Sequence, residues 1–199
     1  LSGYVSEHLG KLDTVKALSI GGGPGTETIA LMNQLNGCEG NQNITFCNLE
    51  YEQSWEPIYL DLVDQFTHFT SSVSITPEFR QFDASAPLFQ QINESDYDIV
   101  FIPWILSELK SSTERRMLLQ RVAGVICMNG HLIVTDRIEE ALMDEISKYA
   151  AELKDFNLIE ENRDCKSHAG ISFPSELLEI FKPKLSYKTA YWVLKKQHT

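Results

Sequence analysis

In the stretch LSIGGGPGTETIALMNQL, Leu18 to Leu35, Gly21, Gly22, Gly23 and Gly25 crowd together in a 199-residue chain that has only 11 glycines. An apolar run precedes them and an amphipathic helical pattern follows, so they occupy the turn between a buried strand and a helix. Glycine costs conformational entropy on folding and is kept where torsions or clearance exclude a side chain. At the start of a helix such a turn lets a ligand approach the backbone and aims free N–H groups at it. Spacing narrows the ligand. Gly21, Gly23 and Gly25 make GxGxG, with Thr26 where the dinucleotide fingerprint has its third glycine, and no Gly-Lys-Ser/Thr follows as in a phosphate-binding loop. Pro24 removes one N–H that a pyrophosphate would use. Neither a dinucleotide site nor a phosphate loop is spelled out, and the plainer alternative is a turn that only packs strand on helix.

The next strand ends carry acids. Glu50 closes ITFCNLE, where a carboxylate can accept both hydroxyl protons of a ribose; Glu52 is the alternative partner. Asp83 follows the third apolar segment, SVSITPEFRQFD, although an Asp there is also a common turn residue. After the fourth, YDIVFI, comes Pro103 and then Trp104, an aromatic suited to stacking on a ring. The five histidines make no HxxxH or His-carboxylate spacing, so no metal site is expected.

The elements that must position these residues alternate along the chain. Strands are expected at Val15–Ile20, Ile44–Glu50, within SVSITPEFRQFD, at Tyr97–Ile102 and at Gly130–Asp136, the third short or on an edge because of Pro77. Helices are expected at Thr26–Leu35, at Ser54–Phe66, in ERRMLLQRVAGVI and in EEALMDEISKYAAELKDF. In the second of these Trp55, Ile58, Leu62 and Phe66 recur at helical spacing, which puts Trp55 in the core. LIEENRD and SYKTAYWVLKK read as an antiparallel pair, and NRDCKSHAG as a mobile loop. Alternating strands and helices give an α/β sandwich whose ligands sit at the carboxyl ends of the strands.

Composition sets the limits. A hydrophobic fraction of 43% and a charged fraction of 23% are those of one ordinary globular domain, 1–199; the start at Leu1 leaves room for a longer chain. No apolar run is long enough to span a bilayer, so no membrane partner is expected. Cys38, Cys47, Cys127 and Cys165 form no CxxC pair, which fits a reducing, intracellular compartment. With 28 acidic against 17 basic residues the net charge is −11, a poor surface for phosphate backbones. The one basic cluster is Lys182, Lys184, Lys188, Lys195 and Lys196, with an edge hairpin guarded by lysines as the competing explanation.

The GxGPG turn resembles motif I of the class I S-adenosylmethionine (SAM) methyltransferases, and the acids at successive strand ends extend the resemblance over the whole chain. It implies a Rossmann-like fold: a mostly parallel seven-stranded sheet, a C-terminal antiparallel hairpin and helices on both faces. It implies SAM as cofactor, held by Ser19, Gly21, Gly22, Gly23, Gly25, Glu50, Tyr51, Asp83, Ala84 and Pro103. The family places the ribose on Glu50 and the adenine amino group on Asp83, beside the Ala84 backbone. Two departures stand out. Ser19 occupies the position where the family often has an acid, and a serine cannot neutralise an ammonium. Ile102 replaces the polar residue of the Asp/Asn-Pro-Pro-aromatic pattern, of which only Pro103 and Trp104 remain, so an exocyclic-amine acceptor is not implied.

NLEYEQSWEPIYLDL together with WILSELKSSTERRMLLQ is similar to eukaryotic ribosomal-RNA methyltransferases of the uridine-N3 type and their mitochondrial small-subunit relatives. This likeness implies that Ser107 and Glu108 line the methyl-transfer face, with Trp104 stacked on the substrate. Glu108 reads equally well as a carboxylate at a helix start. The expected activity is SAM-dependent methyl transfer, with RNA as acceptor where a protein partner or further segment supplies basic surface. This chain alone is not expected to hold RNA tightly. The alternative is a methyltransferase-like scaffold that binds partners and has lost catalysis.

Overall fold

The computed structural model describes residues 7–38, 42–84, 96–168 and 186–197. Its elements run β1 (Thr14–Ile20), α1 (Thr26–Leu35), β2 (Gln42–Glu50), α2 (Trp55–Thr67), β3 (Val73–Gln81), β4 (Tyr97–Pro103), α3 (Ser112–Val125), β5 (Ile126–Arg137), α4 (Glu140–Glu152), β6 (Phe156–His168) and β7 (Ser186–Lys196). Together the strands form one seven-stranded sheet in the order β3-β2-β1-β4-β5-β7-β6. β1 pairs in parallel with both β2 and β4, and β3 and β5 extend the parallel part outward. β7 is antiparallel to both β5 and β6, so the sheet is mixed.

Helices cover both faces because both faces of the central strands are apolar. Leu31, Met32 and Leu35 of α1, with Tyr59 and Val63 of α2, pack on one face. On the other lie Leu118, Leu119 and Val122 of α3, with Leu142 and Ile146 of α4. Each connection from a strand to a helix therefore emerges at the carboxyl end of the sheet. α3 is fixed by a capping box: the Ser111 hydroxyl accepts from the Glu114 N–H at 3.2 Å, and the Glu114 carboxylate accepts from the Ser111 N–H at 3.0 Å.

Several expectations need correction. β3 needs none: expected to be short or on an edge, it is on an edge and nine residues long. Asn162–His168 of the expected loop NRDCKSHAG continue β6, and the loop's last two residues lie outside the described residues. Trp55 is not core: it is 36% exposed and Ile58 is 50% exposed, whereas Tyr59 and Val63 are buried. α2 carries apolar residues on two faces, and the sheet took the other one. The β6–β7 hairpin does close one edge of the sheet, but the β7 lysines are not on the edge strand itself, because β6 lies outside β7. The Lys196 ammonium donates to the Ala123 and Ile126 carbonyls at 3.1 and 2.8 Å, closing the end of α3, and so leaves the basic cluster. Lys182 and Lys184 lie outside the described residues.

Candidate active site

The glycine turn joins the end of β1 to α1, and its four glycines are required for different reasons. Gly21, Gly23 and Gly25 have φ of +77°, +49° and +90°, torsions that side chains resist. A Cβ on Gly21 would lie 2.3 Å from the Ile105 side chain, and one on Gly25 would lie 2.4 Å from the Tyr59 ring. A Cβ on Gly22 would lie 2.4 Å from the Asn48 amide oxygen and 2.6 Å from the Ser19 hydroxyl. Only Gly23, among these four, faces open space. Packing therefore accounts for three of the glycines, and the fourth presents bare backbone outward.

The end of β2 holds this turn in place. Parallel pairing sets Ser19 opposite Asn48 and Ile20 opposite Leu49, which carries Glu50 level with the turn. The Gly21 N–H donates to the Leu49 carbonyl at 2.7 Å, and the Gly23 N–H donates to Glu50 Oε2 at 2.8 Å. Glu50 Oε1 accepts the Glu52 N–H at 3.2 Å, which makes Glu52 an exposed neighbour of the carboxylate. Asn48, wholly buried, donates its Nδ2 to the Gly23 carbonyl at 3.0 Å. Gly23 is thus gripped through both its N–H and its C=O. Asn48 was not anticipated; a polar residue inside the apolar run ITFCNLE was its only signal.

Beneath the turn, Ser19 Oγ and Asn48 Oδ1 are buried without a hydrogen-bond partner. Glu27, in the first turn of α1, is a further unanticipated polar group. Its Oε1 accepts from the Thr26 hydroxyl at 3.1 Å, whereas its Oε2 is buried and unpartnered. Burial pushes the Glu27 carboxyl above its ordinary range, only partly offset by hydrogen bonds from its own backbone and from Thr26.

The strand ends bring the other expected residues to the same edge. Phe82 is buried and its N–H donates to the Glu50 carbonyl at 2.8 Å, so the β3 exit, with exposed Asp83 and half-buried Ala84, lies beside Glu50. Tyr51 is 66% exposed, and its carbonyl accepts from Gln81 Nε2 at 3.2 Å. After β4, Pro103 is buried and Trp104 is half-exposed with a φ of +57°, a strained conformation for a bulky residue. The Trp104 N–H donates to the Thr135 carbonyl at 2.8 Å.

The loop behind Trp104 is tied to the protein. Asp136, completely buried at the end of β5, accepts the Ser107 N–H at 3.0 Å and the Arg137 N–H at 2.7 Å. The Ser107 hydroxyl donates to the Trp104 carbonyl at 3.2 Å. Glu108 is exposed and ion-paired with Arg137; it does not stand at a helix start, since Ser111 caps α3. Ile102 is wholly buried in the core beneath α3 and α4, so the polar position it replaces does not reach this loop. Asp136 too was missed, although it is an acid ending a strand, the same signal that singled out Glu50.

Solved structures share this fold at low sequence identity. A SAM-dependent methyltransferase from Methanosarcina mazei superimposes with a TM-score of 0.66 at 10% identity, covering 97% of each chain. The fold is that of the SAM-dependent methyltransferases. One from Clostridium acetobutylicum gives 0.64 at 10% identity, covering 99% of this chain and 91% of its own. Magnesium protoporphyrin IX methyltransferase from Synechocystis, with S-adenosylhomocysteine bound, gives 0.63 at 10% identity, covering 98% of this chain and 80% of its own. The sequence matches no protein-family model and no curated protein.

Proposed function

We propose that this protein is a SAM-dependent methyltransferase whose cofactor lies over Gly23, at the carboxyl ends of β1, β2 and β3. One observation carries this reading: bare backbone faces open space at Gly23 while the Glu50 carboxylate is held against the same residue, on a methyltransferase fold. Gly21, Gly22 and Gly25 shape the turn, and Ser19 with Asn48 forms its floor. Glu50 uses one lone pair on the Gly23 N–H and one on the Glu52 N–H, which leaves acceptor capacity on both oxygens for ribose hydroxyls. Asp83 and the Ala84 backbone, beside it, would take the adenine edge, with Tyr51 as a flanking wall. SAM supplies a methyl group on a sulfonium, so the leaving charge travels with the cofactor. The chain's tasks are alignment and exclusion of water.

Pro103 stays with the cofactor-binding set, and Trp104 is assigned to the acceptor side, where its strained conformation would present the ring for stacking. Ser107 and Glu108 stand behind it. RNA is our reading of the acceptor, on the strength of the NLEYEQSW and LSEL segments, delivered with a basic protein partner because this chain carries a net charge of −11. The test is transfer of labelled methyl to RNA by the chain together with a co-purified partner, with and without Glu50→Ala. Transfer that disappears in the variant supports the enzyme. No transfer by the assembled complex and no SAM binding would support a scaffold instead.

A further inference from the structure

Ten large apolar side chains are exposed among the described residues, and five of them, Tyr51, Trp55, Ile58, Leu60 and Phe69, lie on α2 or at its ends. Trp55, Ile58 and Phe69 fall on one line with half-buried Leu62 and Phe66, spaced three or four residues apart. This is the face of α2 left over when the sheet took Tyr59 and Val63. The Phe66 and Phe69 rings lie 6.4 Å apart, so the stripe runs the length of the helix, about 20 Å. A contiguous exposed apolar stripe of this kind marks an interaction surface. The charge around it is one-sided. Between Lys16 and Arg80 the chain has eight acids and no Lys or Arg. Four of those acids, Glu52, Glu56, Asp61 and Asp64, lie on α2 or the turn leading into it, and none is ion-paired among the described residues. Such a face repels anionic lipid headgroups and phosphate backbones alike. Two copies joined through it by a two-fold contact would bring the same acids together. A basic protein segment satisfies both the apolar stripe and the charge.

We propose that this face of α2 is the docking surface for a basic amphipathic helix of a protein partner. The helical spacing of the stripe suits a helix laid along it, with apolar residues against Trp55, Ile58 and Phe69. Its Lys and Arg residues meet Glu52 and Asp61, which stand three residues before Trp55 and three after Ile58. The stripe also begins next to the candidate site. Glu50 Oε1 accepts the Glu52 N–H at 3.2 Å, and the Glu52 carbonyl accepts the Trp55 N–H at 3.2 Å. A helix seated here brings positive charge to the Glu50 end of the carboxyl edge, on a chain whose net charge is −11. It gives the basic partner invoked above a place to bind, and it stands independently of whether the chain binds SAM.

The experiment is a fluorescence-anisotropy titration of the whole chain against a labelled four-turn peptide with leucines at the a and d heptad positions and lysines elsewhere. A twin peptide carries glutamate in place of each lysine. The lysine peptide should bind, more weakly as salt rises, and the glutamate peptide should not. Ile58→Ser combined with Phe69→Ser should weaken binding roughly tenfold or more, whereas Met117→Ser, an exposed apolar residue on α3, should stay within about twofold. A thermal melt establishes that the double variant is folded, as the exposure of both side chains predicts. No binding of the lysine peptide, equal binding of its glutamate twin, or a loss no larger in the double variant than in Met117→Ser overturns the inference. A wild-type dimer in sedimentation that Ile58→Ser disperses makes a second copy the occupant and overturns it too. SAM titrated into the same proteins keeps the two readings apart: absence of SAM binding in wild type sinks the cofactor assignment and leaves the docking surface standing.

Discussion

The two halves of the carboxyl edge are built on opposite plans. Around the glycine turn, polar groups are left with capacity to spare: Gly23 faces open space and the Glu50 carboxylate beside it keeps lone pairs on both oxygens. In the loop after β4 the polar groups are spent on the loop itself. Ser107 bonds Trp104 and Asp136, and Glu108 pairs with Arg137. The first half leaves polar capacity unspent, and the second holds Trp104 in a strained position. For the proposed methyl transfer from a sulfonium, where positioning outweighs acid–base chemistry, that division of labour is sufficient.

Breaking the second half should produce the largest change in stability. Asp136→Ala removes a buried carboxylate that accepts two backbone N–H groups and leaves both without it, at a cost of about 3 kcal/mol or more. Urea unfolding measures this, and SAM affinity of the folded fraction should change far less. A cost below about 1 kcal/mol would mean that Asp136 does not anchor the loop.

The glycines sharpen the contrast within the first half. Gly25→Ala combines a left-handed torsion with a Cβ driven against the Tyr59 ring, and should cost about 2–4 kcal/mol. Gly23→Ala meets only the torsional penalty, about 1–2 kcal/mol, because its Cβ enters open space. Gly23→Val should leave a folded protein that no longer binds SAM. Normal binding by Gly23→Val would reduce the whole turn to packing.

The opposite end of the same strands provides a control. His131 is buried against His8, with ring centroids 5.0 Å apart. Burial first, then the charges of His8 and Lys195, lowers its pKa to about 4. The unfolded chain therefore takes up this proton near pH 6.5 and the folded one only near 4. Its contribution to stability is complete above pH 6.5 and is lost progressively down to about 4. His131→Leu should flatten that part of the stability-versus-pH curve. An unchanged slope would contradict the burial argument.

The smallest effect belongs to Glu108. Both partners of its ion pair are more than half exposed, so Glu108→Ala should change stability by about 1 kcal/mol at most. Methyl transfer by this variant separates a catalytic Glu108 from a surface one. A more than tenfold loss at unchanged stability would place it in the chemistry.

The same contrast shows what could be read from the sequence. α1 and β7 begin and end where glycine spacing and alternation put them, because those signals are local. The places of Glu50, Asp83 and Trp104 at the carboxyl edge were legible for the same reason: each lies at or just after a strand end. Asn48 and Asp136 were not, since their partners come from other strands and only register brings them together. Trp55 was misplaced because α2 is apolar on two faces and periodicity cannot say which one the sheet will take. β6 ran through a polar stretch taken for a loop because, at the edge of the sheet, it needs no apolar face on its solvent side.

Titration of SAM into wild-type protein and Glu50→Ala tests the account most directly. The prediction is a single saturable site in the wild type and an affinity roughly ten- to hundredfold weaker in the variant, from the loss of charge-assisted hydrogen bonds to the ribose. Equal affinity in the two proteins, or no binding by the folded wild type, would contradict it.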